Sequence, residues 1–202
     1  MFKQIYDFVD YNKNIKCGML SMDAEGGFDK MDIGMLCQIL RDRGCLEGLT
    51  RWVKRWTRNR CIRLRFNGRT TKDYYLNKGI PQGSPLSPFL FGIYVADVFR
   101  PRIQTRVNFR AMVSSYVDDG VIVISTDQVE STKDKLIEYF GLCNKVAQDR
   151  GMNFSPKKIE WIGFGEEDWG SLDIKGVLTR EVKEIRILGY RLRKNRCIKG
   201  HI

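Results

Sequence analysis

The chain reads as an α+β protein, an antiparallel sheet with helices packed on one face. Two observations predict this. Short apolar strand patterns (Cys17–Met22 and the runs either side of residues 118–120) are interspersed with segments of helical periodicity rather than regular βα repeats. Both patterns also end on carboxylates: Asp23 after the first, and Asp118 and Asp119 within Ser114–Ser125, SSYVDDGVIVIS. Asp119-Gly120 between β-rich runs signals a tight hairpin, because glycine accepts the positive φ of such turns. The acids are therefore either an ordinary turn or three carboxylates meeting at two strand ends. The second arrangement suits a hard divalent cation, which is typically held by one or two carboxylates plus substrate phosphates.

In chain order, Phe2–Tyr11 places Phe2, Ile5, Tyr6, Phe8 and Val9 on one helical face. Cys17–Met22 is a buried strand, and alternation puts Asp23 on the same side as Met19 and Ser21. Asp32 is placed to cap a helix with apolar positions Met35, Leu36, Ile39 and Leu40, which Gly44 ends. Asp29 and Asp32 both have local cap or turn roles and are read as structural. Leu49, Trp52, Val53 and Trp56 form the expected core face of a short helix, with Arg51, Lys54, Arg55 and Arg58 opposite. In the strand Cys61–Phe66, Arg63 and Arg65 alternate with Ile62, Leu64 and Phe66, and Asn67-Gly68 turns the chain back into Thr70–Leu76. Gly79–Pro88, GIPQGSPLSP, is a loop leading into the apolar helix Phe89–Val98. Asn108–Val117 and Val121–Ser125 are the strands around the acidic turn. Asp127-x-x-Glu130 signals a long helix to Asp149 with Leu136, Phe140, Cys143 and Ala147 inward. Lys157 and Lys158 precede the strand Ile159–Phe164, and Glu166–Gly170 is a polar connector. Glu184–Ile198 is an edge hairpin around Leu188-Gly189, with Asn195 as a further turn.

With 202 residues, 43% of them hydrophobic and 29% charged, the chain can bury one sizeable core and is not a disordered segment. Lys and Arg outnumber Asp and Glu 35 to 24, a net charge of +11 that calls for a polyanionic partner, nucleic acid before a membrane surface. No long apolar run or secretory signal pattern is present, so spanning or export is not expected. The six cysteines, Cys197 included, form no CxxC pair, and the only histidine is His201. Zinc therefore lacks its ligand spacing, His-based acid–base chemistry lacks a candidate, and reduced thiols point to an intracellular protein. Seven basic residues and no acid lie between Arg51 and Arg65. That run, with Arg58, Arg60, Arg63 and Arg65, is either a solvated surface or a track for a phosphate backbone. The GIPQG loop is likewise either a rigid helix start or a place where backbone amides approach a phosphate or base.

Taken together, these stretches resemble the palm of a reverse transcriptase, most closely the non-LTR retrotransposon type. SMDAEGGFD resembles the first catalytic motif, GIPQGSPLSPFLF the second, and YVDD at Tyr116–Asp119 the metal-binding hairpin. GMNFSPKKIE resembles a further motif, aligning Lys158 with its lysine and Glu160 with its acid, and IRILGY resembles the strand that grips the primer. The resemblance implies an RNA-directed DNA polymerase that uses an RNA template, a DNA primer and dNTPs. It implies two Mg²⁺ ions, replaceable by Mn²⁺, held by Asp23, Asp118 and Asp119 with the backbone carbonyl of Ala24. Lys158 would meet the charge on departing pyrophosphate, and Phe28 would exclude a 2′-hydroxyl. Gln82 and Gly83 would lie near the templating base pair, Tyr116 near the primer terminus, and Leu188 and Gly189 on the primer. Residues 1–165 would form the palm with partial fingers, and residues 166–202 the palm end with the grip hairpin.

Three departures accompany the resemblance. Gly27 stands where alanine is usual, which predicts a looser nucleotide pocket. A fingers segment before Met1 and a thumb after Ile202 are implied but lie outside the chain, so processive synthesis is not expected of this piece. Two other readings stand beside the polymerase. An RNA-dependent RNA polymerase palm would carry a polar residue at Phe28 and lack GIPQGSPLSP. A truncated or domesticated palm would only bind RNA or protein, against which Asp23, Asp118 and Asp119 are all intact. An intracellular, nuclear location follows from the retroelement reading.

Overall fold

Strand β1 (Lys16–Glu25) is apolar on both sides from Cys17 to Leu20 and alternates from there, so both its faces are covered before it runs out toward solvent. The computed structural model describes residues 2–11, 15–100, 109–195 and 198–200; Asn108, Cys197 and His201 lie outside them. Strand β7 (Asp119–Thr126) pairs antiparallel with β1 from Lys16↔Thr126 to Asp23↔Asp119, and β6 (Arg110–Tyr116) pairs beyond it. On the other edge of β1, β9 (Glu160–Phe164) pairs with Cys17–Ser21 and β8 (Asn153–Phe154) with Ala24 and Glu25.

Opposed residues in an antiparallel ladder share a face. Cys17, Met19, Val121, Val123, Ile162 and Phe164 therefore form one apolar surface, which Ile5 and Val9 of α1 (Phe2–Tyr11) cover. Ile185, Ile187 and Leu192 join them from the hairpin of β12 (Glu184–Ile187) and β13 (Tyr190–Arg193), to which β14 (Ile198–Gly200) adds a third strand. The opposite face carries α6 (Val129–Asp149). Bare backbone at Gly18 lets Leu136 and Thr132 within 3.1 and 3.2 Å of where a Cβ would stand. Leu136, Phe140, Cys143 and Ala147 are buried, as helical spacing predicts. The helix start uses Thr126, whose Oγ1 accepts from Gln128 N (3.3 Å), rather than the expected Asp127–Glu130 box. A hairpin of β10 (Ser171–Ile174) and β11 (Val177–Arg180) turns at Lys175-Gly176 (φ 56° and 78°), an element absent from the sequence reading.

These elements form one compact unit, Met1–Glu25, Asp97–Gln148 and Asn153–Ile202; a second comprises Gly26–Ala96 and Asp149–Met152. The second contains α2 (Gly27–Lys30), α3 (Ile33–Asp42), α4 (Glu47–Thr57) and α5 (Leu86–Val95). Asp32 caps α3 as expected, its Oδ1 accepting from Met35 N at 2.8 Å, a bond worth about 1 kcal/mol. Ile33, Leu36, Cys37, Ile39 and Leu40 are buried, whereas Met35 is 39% exposed. In α4 the expected core face is met only in part: Val53 is buried as expected, but Leu49 and Trp52 are each 50% exposed, and Thr50 and Thr57 are buried beside Val53. Small side chains let α3 and α4 approach, and Thr57 satisfies its hydroxyl on Val53 O at 2.8 Å. The Trp52 and Trp56 rings stack on each other at 5.8 Å.

The strand expected over Cys61–Phe66 is two pieces, β2 (Arg60–Ile62) and β3 (Arg65–Phe66), returning as β4 (Arg69–Thr70) and β5 (Tyr74–Leu76). Ile62 opposes Tyr74 but Leu64 bonds Thr71, so Lys72 and Asp73 together oppose Arg63. Two residues against one is a β-bulge, which bends and twists the ribbon at that point. The Asn67-Gly68 turn is as expected, with both residues at positive φ (47° and 74°).

Candidate active site

The β1–β7 ladder places Asp23 directly opposite Asp119, so the two carboxylates leave the same face. Asp118 and Val117 form the two-residue turn between Tyr116 and Asp119, which pair with each other. Ala24 is buried, and its N–H donates to the Asp118 carbonyl at 3.2 Å, tying the turn to the end of β1. The turn is thus two residues earlier than the expected Asp119-Gly120. Val117, not Gly120, takes the left-handed conformation, with φ 57°. A β-branched residue there costs about 1–3 kcal/mol. Gly120 lies within β7, where an added Cβ would collide with the Phe99 ring and stand 3.1 Å from Met22 Cγ. Its glycine serves space rather than backbone freedom.

The carboxyl of Asp119 has its pKa raised above the usual range by partial desolvation, then by the neighbouring charges of Asp118 and Asp23. Lys158 Nζ donates to Asp23 Oδ2 at 2.6 Å, from the short 3₁₀ turn Pro156–Lys158. That bond, and the attraction of Asp23, hold the ammonium above its ordinary pKa. A cavity of about 150 Å³ is lined by Ser21, Asp23, Asp119, Lys158, Glu160 and Arg186. Sequence reasoning did not anticipate Arg186, whose place depends on how β12 docks. Tyr116 is 56% exposed beside Asp119, and Leu188-Gly189 is a tight turn with both residues at positive φ (50° and 83°). Among the described residues no group of three or more His, Cys, Asp or Glu side chains is placed to hold a metal ion.

The second unit holds its own group. Phe28, half-buried in α2, stacks on Phe91 with centroids 4.6 Å apart and planes 11° apart. A Cβ at Gly27 would stand 2.5 Å from the Phe91 ring, so the space of the missing methyl is filled by that ring. The looser pocket expected from Gly27 is not what the structure has. The GIPQG loop is strapped to α2: Gly79 N donates to Met31 O (2.9 Å) and Ile80 N to Phe28 O (2.8 Å). Gln82 Nε2 donates to both carboxylate oxygens of Asp29 (3.1 and 3.2 Å), giving Asp29 a role as anchor that neither capping nor turn formation described. Gly83 follows at φ 86°.

Of the basic run, Arg63 is paired in bidentate fashion with Asp73, and Arg60 donates to the carbonyls of Thr57 (3.2 Å) and Lys78 (2.7 Å). Arg58 and Arg65 are exposed, without such partners among the described residues. A further residue was missed entirely. The Glu181 carboxylate, 7% exposed, accepts from Gly163 N (2.8 Å), Trp169 N (3.1 Å) and Lys194 Nζ (2.8 Å), and its partners are too far apart in sequence to signal it.

The family model for reverse transcriptase (RNA-dependent DNA polymerase) matches residues 3–192. The chain belongs to the reverse transcriptase family. A jockey mobile-element RNA-directed DNA polymerase from Drosophila funebris is 27% identical over 154 residues, 74% of this chain and 17% of that protein. A Pol polyprotein of the type-1 retrotransposable element R2 from Popillia japonica is 25% identical over 148 residues, 69% of this chain and 23% of its own length. The reverse transcriptase chain thus spans roughly a fifth of these relatives. Among solved structures, apo telomerase from Candida tropicalis superimposes with a TM-score of 0.67 at 12% identity, over all of this chain and 40% of that one, a likeness of fold. No helix among the described residues is long and apolar enough to cross a membrane.

Proposed function

We propose that this chain is the catalytic core of an RNA-directed DNA polymerase, which joins dNTPs to a DNA primer on an RNA template. The single observation that carries the reading is Asp23 opposite Asp119, with Asp118 in the adjoining turn. The site fits a cation on its own chemistry: Asp119 is repelled by its two neighbours, so negative charge there is incompletely compensated. An open carboxylate pair suits Mg²⁺, which completes its shell with waters and substrate phosphates. Asp23, Asp118 and Asp119 would hold two ions, with Ala24 adding its carbonyl. Bound there, Mg²⁺ or Mn²⁺ lowers the pKa of the attacking hydroxyl and stabilises the attacking and leaving oxygens.

The primer 3′-hydroxyl then bonds to the α-phosphorus of the dNTP, loses its proton, and the bond to the β-phosphate oxygen breaks to release pyrophosphate. Lys158, once it leaves Asp23, meets the charge developing on that leaving group. In the second unit Phe28 excludes a 2′-hydroxyl, and Gln82 with Gly83 attends the templating base pair. Tyr116, Leu188 and Gly189 act on the primer, and Arg58, Arg60, Arg63 and Arg65 on phosphates. Residues 1–165 supply the palm and 166–202 the grip hairpin. A nuclear location goes with the retroelement reading.

Mn²⁺ titration followed by electron paramagnetic resonance tests the site. Loss of outer-shell partners alone weakens metal sites about 10–100-fold, and Asp118→Ala or Asp119→Ala should do at least as much. Binding unchanged in both variants would remove the catalytic reading. A metal-competent chain whose full-length polymerase still fails to extend a primer would be a binding module. In that full-length enzyme, Phe28→Ala should raise ribonucleotide incorporation relative to dNTPs.

A further inference from the structure

The ribbon 60–76 has a face that nothing in its own unit covers. Alternation sends Ile62, Leu64 and Phe66 to one side, where register adds Tyr74 opposite Ile62 and Arg69 opposite Phe66. Their exposures are 44%, 65% and 78% along the first strand and 45% for Tyr74. Such a row of exposed apolar side chains is normally covered or used. Charge identifies the occupant. From Arg58 to Lys78 there are seven basic residues and a single acid, Asp73, which is already paired with Arg63. Lys72 stands over the Tyr74 ring at 5.7 Å, and the Phe66↔Arg69 pair sets a cation beside the most exposed ring of the ribbon.

We propose that this face is a stacking platform for single-stranded nucleic acid, with bases lying on Phe66 and Tyr74 and phosphates meeting Arg69 and Lys72. The inference rests on the nucleic-acid reading above and adds base contact to it. A duplex keeps its base faces stacked within itself, whereas a single strand offers them to aromatic rings regardless of sequence. The bulge at Lys72 and Asp73 twists the ribbon between the two rings, which suits a flexible strand rather than a straight one.

The test is fluorescence anisotropy with the 202-residue chain, using oligouridylate and an abasic strand of equal length and charge. The wild-type chain should prefer the base-bearing strand. Phe66→Ala should weaken that binding about fivefold or more while leaving the abasic strand unaffected, and Phe66→Trp should retain it. Phe66 is largely exposed, so a thermal melt should show all three proteins equally folded. Equal affinity of the wild type for both strands would overturn the stacking platform and leave phosphate binding standing. Failure to bind either strand would overturn both. A chain that self-associates and is dispersed by Phe66→Arg, with no change in RNA affinity, would make the ribbon a contact between copies and overturn the proposal.

Discussion

The carboxylate hairpin of β6 and β7 and the ribbon of β2–β5 both fold back through two-residue turns, and they are stabilised in opposite ways. Around the carboxylates, β7 is buried from Gly120 to Thr126, and Val117 is held in a conformation its side chain disfavours. In the ribbon the strands are two or three residues long and nearly all exposed, and the turn uses Asn67-Gly68, residues suited to positive φ. Strain is thus tolerated where a ladder and a packed floor over-determine the backbone. Where packing is absent, local turn chemistry must suffice.

Glycine substitutions give the sharpest contrast. Gly120→Ala forces a methyl into the Phe99 ring and should destabilise the chain by about 1–3 kcal/mol or more. Gly68→Ala meets no neighbour within 4 Å and pays only the left-handed conformation, about 1–2 kcal/mol. Urea midpoints measure both, and an equal or inverted order would break the comparison. Val117→Gly should then raise stability by about 1 kcal/mol by relieving φ 57°. A fall instead would show that the valine side chain packs more usefully than its backbone is strained.

Asp119→Asn should act through pH. The folded pKa of Asp119 lies above its unfolded value, so its contribution is most favourable below the unfolded pKa and is lost as pH rises through the folded one. The variant should therefore melt higher than wild type near neutral pH in the presence of EDTA. The gain should vanish below about pH 4, where the acid is protonated in both states. A gain independent of pH would assign it to something other than charge. Saturating Mn²⁺ should reverse the order, because it stabilises only the protein with the carboxylate. The smallest effect concerns the ribbon: Arg69→Ala removes the cation opposite Phe66, flattening the log–log salt dependence of single-strand binding by about 0.7. An unchanged slope would mean that Arg69 meets no phosphate.

Legibility in the sequence follows the same division. Strands β1 and β7, α3 with its Asp32 cap, the buried positions of α6, and the turns at Asn67-Gly68 and Leu188-Gly189 were all readable, because each rests on local periodicity or turn chemistry. That Asp23 meets an acidic pair at a second strand end is legible in the sequence, but the residue directly opposite it in the ladder is Asp119 rather than Asp118. The turn lies two residues before the one Asp119-Gly120 suggests, because the glycine at 120 serves space rather than backbone freedom. Helical spacing puts Trp52 on one face with Val53, yet the buried positions of α4 are Val53 with Thr50 and Thr57, and threonines give little hydrophobic signal. Gln82–Asp29, Arg63–Asp73 and the three bonds to Glu181 join residues 10 to 53 positions apart, or gather several at once, and no window of sequence contains them.

Gly27 and Phe91 carry a consequence for which substitutions the site tolerates. The ring of Phe91 occupies the place of a methyl at residue 27 and stacks on Phe28. The two positions can be exchanged only as a pair. Adding the methyl first overpacks the site, at about 1–3 kcal/mol; removing the ring first leaves a hole, at about 3–5 kcal/mol for a phenylalanine cut to alanine. Of the two penalties the added methyl at 27 is the smaller, so the neighbouring ring, rather than the glycine's own chemistry, sets what the position tolerates.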